Sequence, residues 1–302
     1  MNKWIKRGAV AVAVLAAIAG TALYAAQHFS DRKMNRQIKV AVQPVPYRDD
    51  AQSVERGRYL FNSRGCTECH GANGAGSVFV DDPKNGMKLR GPNVTRGPGG
   101  VVAAYRPEDW VRTIRHGVKP DGRPALIMPS EDYNRLTDAD LASLVAYVRQ
   151  LPPVAGEGAL IRFPTLVRAL YAVGVIPDAA ETIDHSLPPS QPVAEAVSVE
   201  HGKYVSGMCI GCHGANLGGG KIPGGPPDWP AAANLAPGEG SGMARYATGD
   251  QFVAMMRTGK RPDGAAVSPV MPFAALKELN DTDLKALHLF LKGLPPRPAG
   301  GR

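Results

Sequence analysis

All four cysteines of the 302-residue chain fall in two copies of one five-residue pattern, Cys66-Thr67-Glu68-Cys69-His70 and Cys209-Ile210-Gly211-Cys212-His213. Two thiols one helical turn apart can reach the two vinyl groups along one edge of a porphyrin. The residue that follows can then aim its imidazole at the iron. The spacing predicts two covalently bound haem c groups, attached through Cys66 and Cys69 and through Cys209 and Cys212, with His70 and His213 as iron ligands. A four-cysteine zinc site would have to join pairs that lie in opposite halves of the chain and would leave both histidines idle. A redox Cys-x-x-Cys pair would belong in a βαβ setting, which is not evident here.

The second iron ligands emerge from an internal repeat. One constant shift superposes the two motifs and also places Met128 on Met271, Asp140 on Asp283, Tyr147 on Phe290 and Leu151-Pro152-Pro153 on Leu294-Pro295-Pro296. Gly57-Arg58-Tyr59 matches Gly202-Lys203-Tyr204 at a slightly longer shift. Such self-similarity means two copies of one domain. In both copies a Met-Pro pair follows the motif histidine at the same separation, so Met128 and Met271 are the expected axial thioethers. Met87, Met208, Met243, Met255 and Met256 have no counterpart in the other half and are read as core or surface residues. His28, His116, His185, His201 and His288 also lack counterparts and are read as structural or surface residues.

Short helices must position these groups. Amphipathic stretches at Ser53 to Asn62 and Val199 to Ser206 precede the motifs. Pro107 opens a helix to Arg115, and Gly249 opens its counterpart through Arg257. Caps at Thr137 to Asp140 and Asn280 to Asp283 start the last helices, which end at Gln150 and Lys292. Tyr147 and Phe290 are expected to pack on Tyr59 and Tyr204 where first and last helices cross. No strand alternation is evident. The 35 glycines and 27 prolines supply loops able to wrap a flat cofactor.

Lys3, Lys6 and Arg7 precede an uncharged run, Gly8 to Ala26, enough for about 28 Å of helix. The basic flank predicts a single retained anchor with the rest of the chain exported. Cleavage near Ala17-Ile18-Ala19 is the alternative. Those three charges belong to a net +8, and oxidised haem c with ionised propionates offsets about one positive charge per group, so no nucleic-acid footprint survives. The expected organisation is an anchor at 1–26, a spacer at 27–50, haem domains at 51–153 and 196–302, and a linker at 154–195. Within the linker, Phe163 to Ile176 shows helical apolar spacing, read as a helix docked on the two domains and followed by an acidic strap through Asp184. Contact with a partner or the membrane surface is the alternative.

Each half resembles the class I cytochrome c domain: first helix, Cys-x-x-Cys-His, a loop of the Pro-Asn type (Pro92-Asn93; Ala233-Asn234), axial Met and last helix. The whole is similar to membrane-anchored dihaem cytochromes c, of the c4 type and of periplasmic dehydrogenase complexes. The resemblance implies an all-α fold, a tandem duplication preceded by one transmembrane helix. It also implies that a proline carbonyl orients each motif histidine, with Pro92 the candidate in the first half and Pro223, Pro226, Pro227 or Pro230 in the second. Two six-coordinate irons suit an electron carrier at the bacterial inner membrane, its haem domains in the periplasm. The donor would be a dehydrogenase or quinol-oxidising complex, and the acceptor a terminal oxidase or another cytochrome. The alternative is a dihaem peroxidase, which needs one iron with an open position.

Overall fold

The computed structural model describes residues 3–226 and 228–301. Helix α1 (Lys3–Met34) carries the apolar run, none of which is buried within the protein, and ends on Arg32 and Lys33. It continues past the expected anchor, because 27–34 contains neither Gly nor Pro and docks on the linker. The remainder of the spacer is extended and lies on the first domain, where Val45 is buried in its core and the Ile38 amide donates to the Gly122 carbonyl (2.8 Å).

The first domain comprises α2 (Ala51–Ser63), α3 (Cys66–His70), α4 (Pro107–His116), α5 (Ser130–Tyr133) and α6 (Asp138–Gln150). Asp50 and Thr137 cap α2 and α6, each side chain accepting an amide hydrogen bond from the first turn. The linker contributes α7 (Thr165–Ala172) and α8 (Ala179–Thr182). The second domain repeats the first, with α9 (Val199–Val205), a 3₁₀ turn (Ser206–Cys209) leading into α10 (Ile210–His213), α11 (Gly249–Thr258), α12 (Phe273–Leu276) and α13 (Asp281–Lys292).

First and last helices cross at a glycine in both halves. A Cβ on Gly57 would lie 1.9 Å from the Ser143 carbonyl oxygen, and one on Gly202 would lie 2.0 Å from that of Ala286. Only glycine permits such an approach. The crossing closes one apolar core around Leu60, Phe61, Trp110 and Leu141 and another around Phe252, Leu279, Leu284 and Leu287.

One feature departs from the expected helical layout. A small antiparallel sheet, β1 (Val78–Asp82), β2 (Met87–Arg90) and β3 (Leu160–Arg162), sews the start of the linker to the first domain. Its strands of three to five residues are too short to show an alternation. The linker helix has a partner the sequence did not name: α7 packs along α1. The chain then turns back, and α8 meets α5. His116 and His185 fasten this stretch, Nδ1 to Nδ1 at 3.0 Å, with His185 Nε2 directed at the Ala180 carbonyl. Burial, then the neighbouring His185 and two arginines, lowers the His116 pKa to about 4, so His116 is neutral near pH 7.

Candidate functional site

Helix α3 holds Cys66, Cys69 and His70, and the 3₁₀ turn with α10 holds Cys209, Cys212 and His213. Cys66 and Met128 pack against the core of the first domain, and Cys209 and Met271 against that of the second. As free thiols, Cys66 and Cys209 are pushed up to about 12 by burial and Cys69 to about 11.

Both motif histidines are held through Nδ1. In the first domain Nδ1 of His70 lies 3.0 Å from the Pro92 carbonyl oxygen; in the second, Nδ1 of His213 lies 2.8 Å from that of Ala233. Donation by Nδ1–H leaves Nε2 with its lone pair, the form an iron ligand requires. Burial lowers the His70 pKa and favours this neutral ring. In the second half the carbonyl is therefore not one of the proline candidates; Pro227 itself lies outside the described residues.

The signal that finds Ala233 is the asparagine after it. Asn93 Oδ1 accepts from the Thr95 amide (2.8 Å) and Asn93 Nδ2 donates to the Val154 carbonyl (2.9 Å). Asn234 Oδ1 accepts from Ala236 N (2.9 Å) and Asn234 Nδ2 donates to the Arg297 carbonyl (2.8 Å). Each buried amide ties the histidine-orienting loop to the chain just past Leu-Pro-Pro, so a carbonyl from either Pro or Ala arrives at the same place.

The two methionines also share one backbone form. Met128 N donates to the Ala125 carbonyl and Met271 N to the Ser268 carbonyl, both at 3.1 Å. The Met128 and Met271 carbonyls accept from Ser130 N and Phe273 N, both at 2.8 Å. Pro129 and Pro272 then begin α5 and α12. Of the other methionines, Met243, Met255 and Met256 are buried in the second core, and Met208 Sδ accepts from Arg64 (3.4 Å). Trp110 Nε1 is buried in the first core with no acceptor among the described residues, a donor suited to a carboxylate on a bound group. Paired thiols, histidines anchored through Nδ1 and core-facing thioethers together fit haem c.

The domains meet through reciprocal tyrosines, a role the sequence did not reveal. Tyr59 on α2 donates to Asp283 Oδ2 (2.7 Å) and accepts from Asn280 N (3.1 Å). Tyr204 on α9 donates to Asp140 Oδ2 (2.6 Å) and accepts from Thr137 N (3.3 Å). The hydroxyls thus reach the last helix of the opposite domain, where an N-terminal turn offers both a carboxylate and an amide. Tyr147 meets Phe61, ring centroids 5.4 Å apart. The signal for this was present in the repeat, since tyrosine and aspartate both recur at matching positions.

The interface is not symmetric throughout. Asp132 on α5 reaches the other domain's motif and accepts from Gly211 N (3.0 Å). At the matching position, Ala275 stands 3.7 Å from where a Gly65 Cβ would lie. Burial, then the neighbouring Glu131, raises the Asp132 pKa to about 8. A carboxyl raised above its unfolded value stabilises the fold fully below pH about 4 and loses that contribution as pH rises to about 8. Asp132→Asn keeps an oxygen for the Gly211 amide. The variant should unfold at a higher temperature than the parent at pH 9 and at nearly the same temperature at pH 4; an equal difference at both values would contradict the assignment.

The family model for cytochrome c oxidase, cbb3-type, subunit III, matches residues 52–148, and that for cytochrome c matches residues 199–295. The cytochrome subunit of fructose dehydrogenase from Gluconobacter japonicus is 26% identical over 296 residues, covering 86% of this chain and 56% of that protein. The cytochrome c subunit of alcohol dehydrogenase (quinone) from Gluconobacter oxydans (strain 621H) is 25% identical over 281 residues, covering 83% and 56%. The cytochrome c subunit of gluconate 2-dehydrogenase from Pantoea cypripedii is 27% identical over 281 residues, covering 82% and 60%. The chain thus spans a little over half the length of these curated relatives.

Proposed function

This chain carries two cytochrome c domains, which imply haem c, and from that premise we propose that it is the dihaem electron-transfer subunit of a membrane-bound dehydrogenase. The domains occupy 51–153 and 196–302, joined by the linker at 154–195. Haem c supplies a one-electron iron couple. Cys66 and Cys69 would hold one group and Cys209 and Cys212 the other. His70 and His213, turned by the Pro92 and Ala233 carbonyls, would offer Nε2 to the iron, and Met128 and Met271, packed against the two cores, would offer their thioethers. A His-Met set in both halves would leave no position for substrate, which suits outer-sphere transfer and not peroxide chemistry.

The observation that carries this reading is the correspondence between the two Met-Pro turns and between the two histidine-carbonyl pairs, Pro92 in one half and Ala233 in the other. Electrons would enter from a dehydrogenase or a quinol-oxidising complex and leave to a terminal oxidase or another cytochrome. Helix α1 serves as a retained anchor in the inner membrane, its basic start in the cytoplasm and the haem domains in the periplasm. A dehydrogenase isolated from native membranes with this chain should reduce both haems, two electrons per chain, on addition of its substrate. Carbon monoxide binding by either ferrous haem at neutral pH, or turnover of peroxide, would overturn the assignment.

A further inference from the structure

Helix α7 packs on the last turn of the uncharged run of α1. Ala22, Ala26 and Phe29 face Ala169, Ala172 and Val173 across an apolar groove of about 710 Å³. Polar contacts lock the pair just beyond it: Arg168 to Asp31 (2.5 Å), Lys33 Nζ to the Tyr171 carbonyl (2.8 Å) and Lys33 to Glu181 (3.0 Å). Arg36 holds both oxygens of buried Asp178 (2.7 and 2.8 Å), which also accepts from the Tyr171 hydroxyl (2.6 Å). The linker is thereby clamped to the base of α1 at a defined height.

That height has a consequence. The run from Gly8 to Ala26 is barely long enough for a bilayer core of about 30 Å, so it fills the core with nothing to spare. A segment packed on Ala22 and Ala26 therefore stands at the headgroup level. The linker exposes Leu166 (70%), Val173 (74%) and Val175 (63%), and α1 exposes Tyr24 (70%) and Phe29 (54%), with Val173 and Phe29 lining the same groove. Exposed Arg32 lies alongside, and cationic and aromatic side chains suit this layer.

We propose that the α7 segment, 163–176, is a membrane-surface foot: Leu166, Val173 and Val175 enter the boundary between headgroups and acyl chains, and their clamp to α1 sets the height of the haem domains above the bilayer. The occupant of this face is lipid, because the apolar surface is continuous with that of the bilayer-filling helix. The proposal rests on α1 being retained as an anchor.

The test uses the full-length holoprotein in nanodiscs of phosphatidylethanolamine and phosphatidylglycerol, with a lipid-soluble diazirine and, separately, a water-soluble one, adducts being located by peptide mass spectrometry. Lipid-phase labelling of 163–176 comparable to that of α1, with none on exposed Val78, is the expected result. The triple variant Leu166→Glu, Val173→Glu, Val175→Glu should lose the labelling of α7 and keep that of α1. Labelling of α7 by the aqueous reagent alone would overturn the proposal. So would protection from both reagents, which marks cover by a second copy of the chain. An intact mass lacking the residues up to Ala19, or more of the N-terminal run, would overturn the anchor reading together with the proposal, whereas a full mass with unlabelled α7 overturns only the proposal.

Discussion

Met128→Ala should remove the methionine-to-iron charge-transfer absorption of one haem, close to half of the total, and leave the other haem untouched; Met271→Ala should do the reverse. The altered haem should also become harder to reduce, by ~0.1–0.3 V, a part of the roughly 0.8 V over which axial ligands move haem potentials. A thioether stabilises ferrous iron, so its removal favours the ferric state. The structure makes these substitutions clean. The turn around each methionine is held by backbone bonds, Met128 N to the Ala125 carbonyl and Ser130 N to the Met128 carbonyl, and their equivalents at Met271. None of these depends on the side chain. Each methionine also packs against its own domain's core, so loss in one domain should not reach the other. Optical spectra combined with a two-step redox titration separate the haems. Full retention of the absorption in either variant would show that another side chain is the ligand. Loss of both absorptions from one substitution would mean that the domains do not behave as separate sites. Met255→Ala, at a buried core position of the second domain, is the control: it should weaken the fold and leave the absorption in place.

What the sequence disclosed and what it withheld divide along the range of the interactions involved. Helix ends are local. Thr137 and Asn280 cap through the amide of a residue three places on, so the starts of α6 and α13 can be read from a few letters; Asp50 and Ser198 do the same for α2 and α9. The motif spacing and the internal repeat are equally direct: they point to Cys66, Met128, Cys209 and Met271, which the structure sets against the two cores, and to His70 and His213, which it holds through Nδ1. The carbonyl of Ala233 was hidden because any residue can supply a carbonyl; what specifies it is the asparagine that pins the loop. The docking of α7 was hidden for a different reason. Its apolar periodicity tells that a face is covered and not what covers it, and the whole first domain separates α7 from α1 along the chain. The reciprocal tyrosines belong to the same class, since a phenol's apolar ring suggests core packing while its hydroxyl chooses the partner.

That interface makes Asp283→Ala the substitution with the largest expected cost in stability. The carboxylate is fully buried where the two domains meet. It accepts from Tyr59 (2.7 Å) and Arg64 (3.4 Å) of the first domain and from His201 Nε2 (2.6 Å) of the second. Burial alone would raise its pKa, yet the Arg64 charge and the bonds from Tyr59 and His201 hold the carboxyl below its usual range. The Arg64 side chain is only 4% exposed, so deleting the carboxylate strands a buried guanidinium. Removing one partner of a buried pair costs about 3–5 kcal/mol, more than the pair contributes net. The matching change, Asp140→Ala, should cost less, because Arg56 is 23% exposed and retains Glu195 at 3.1 Å. Two of the three groups on Asp283 come from the other domain, so the loss should loosen the interface before it unfolds either core. Calorimetry should then resolve two transitions where the parent shows one, with scattering reporting a larger radius before the first. Tyr59→Phe combined with Asp283→Ala should be less than additive, as expected of contacts in one network. Arg64→Met with Asp283→Leu, which removes both charges and fills the space, should recover much of the loss. A single transition shifted equally by Asp140→Ala and Asp283→Ala would show that the two ends of the interface are equivalent, and that the buried arginine is not what sets the cost.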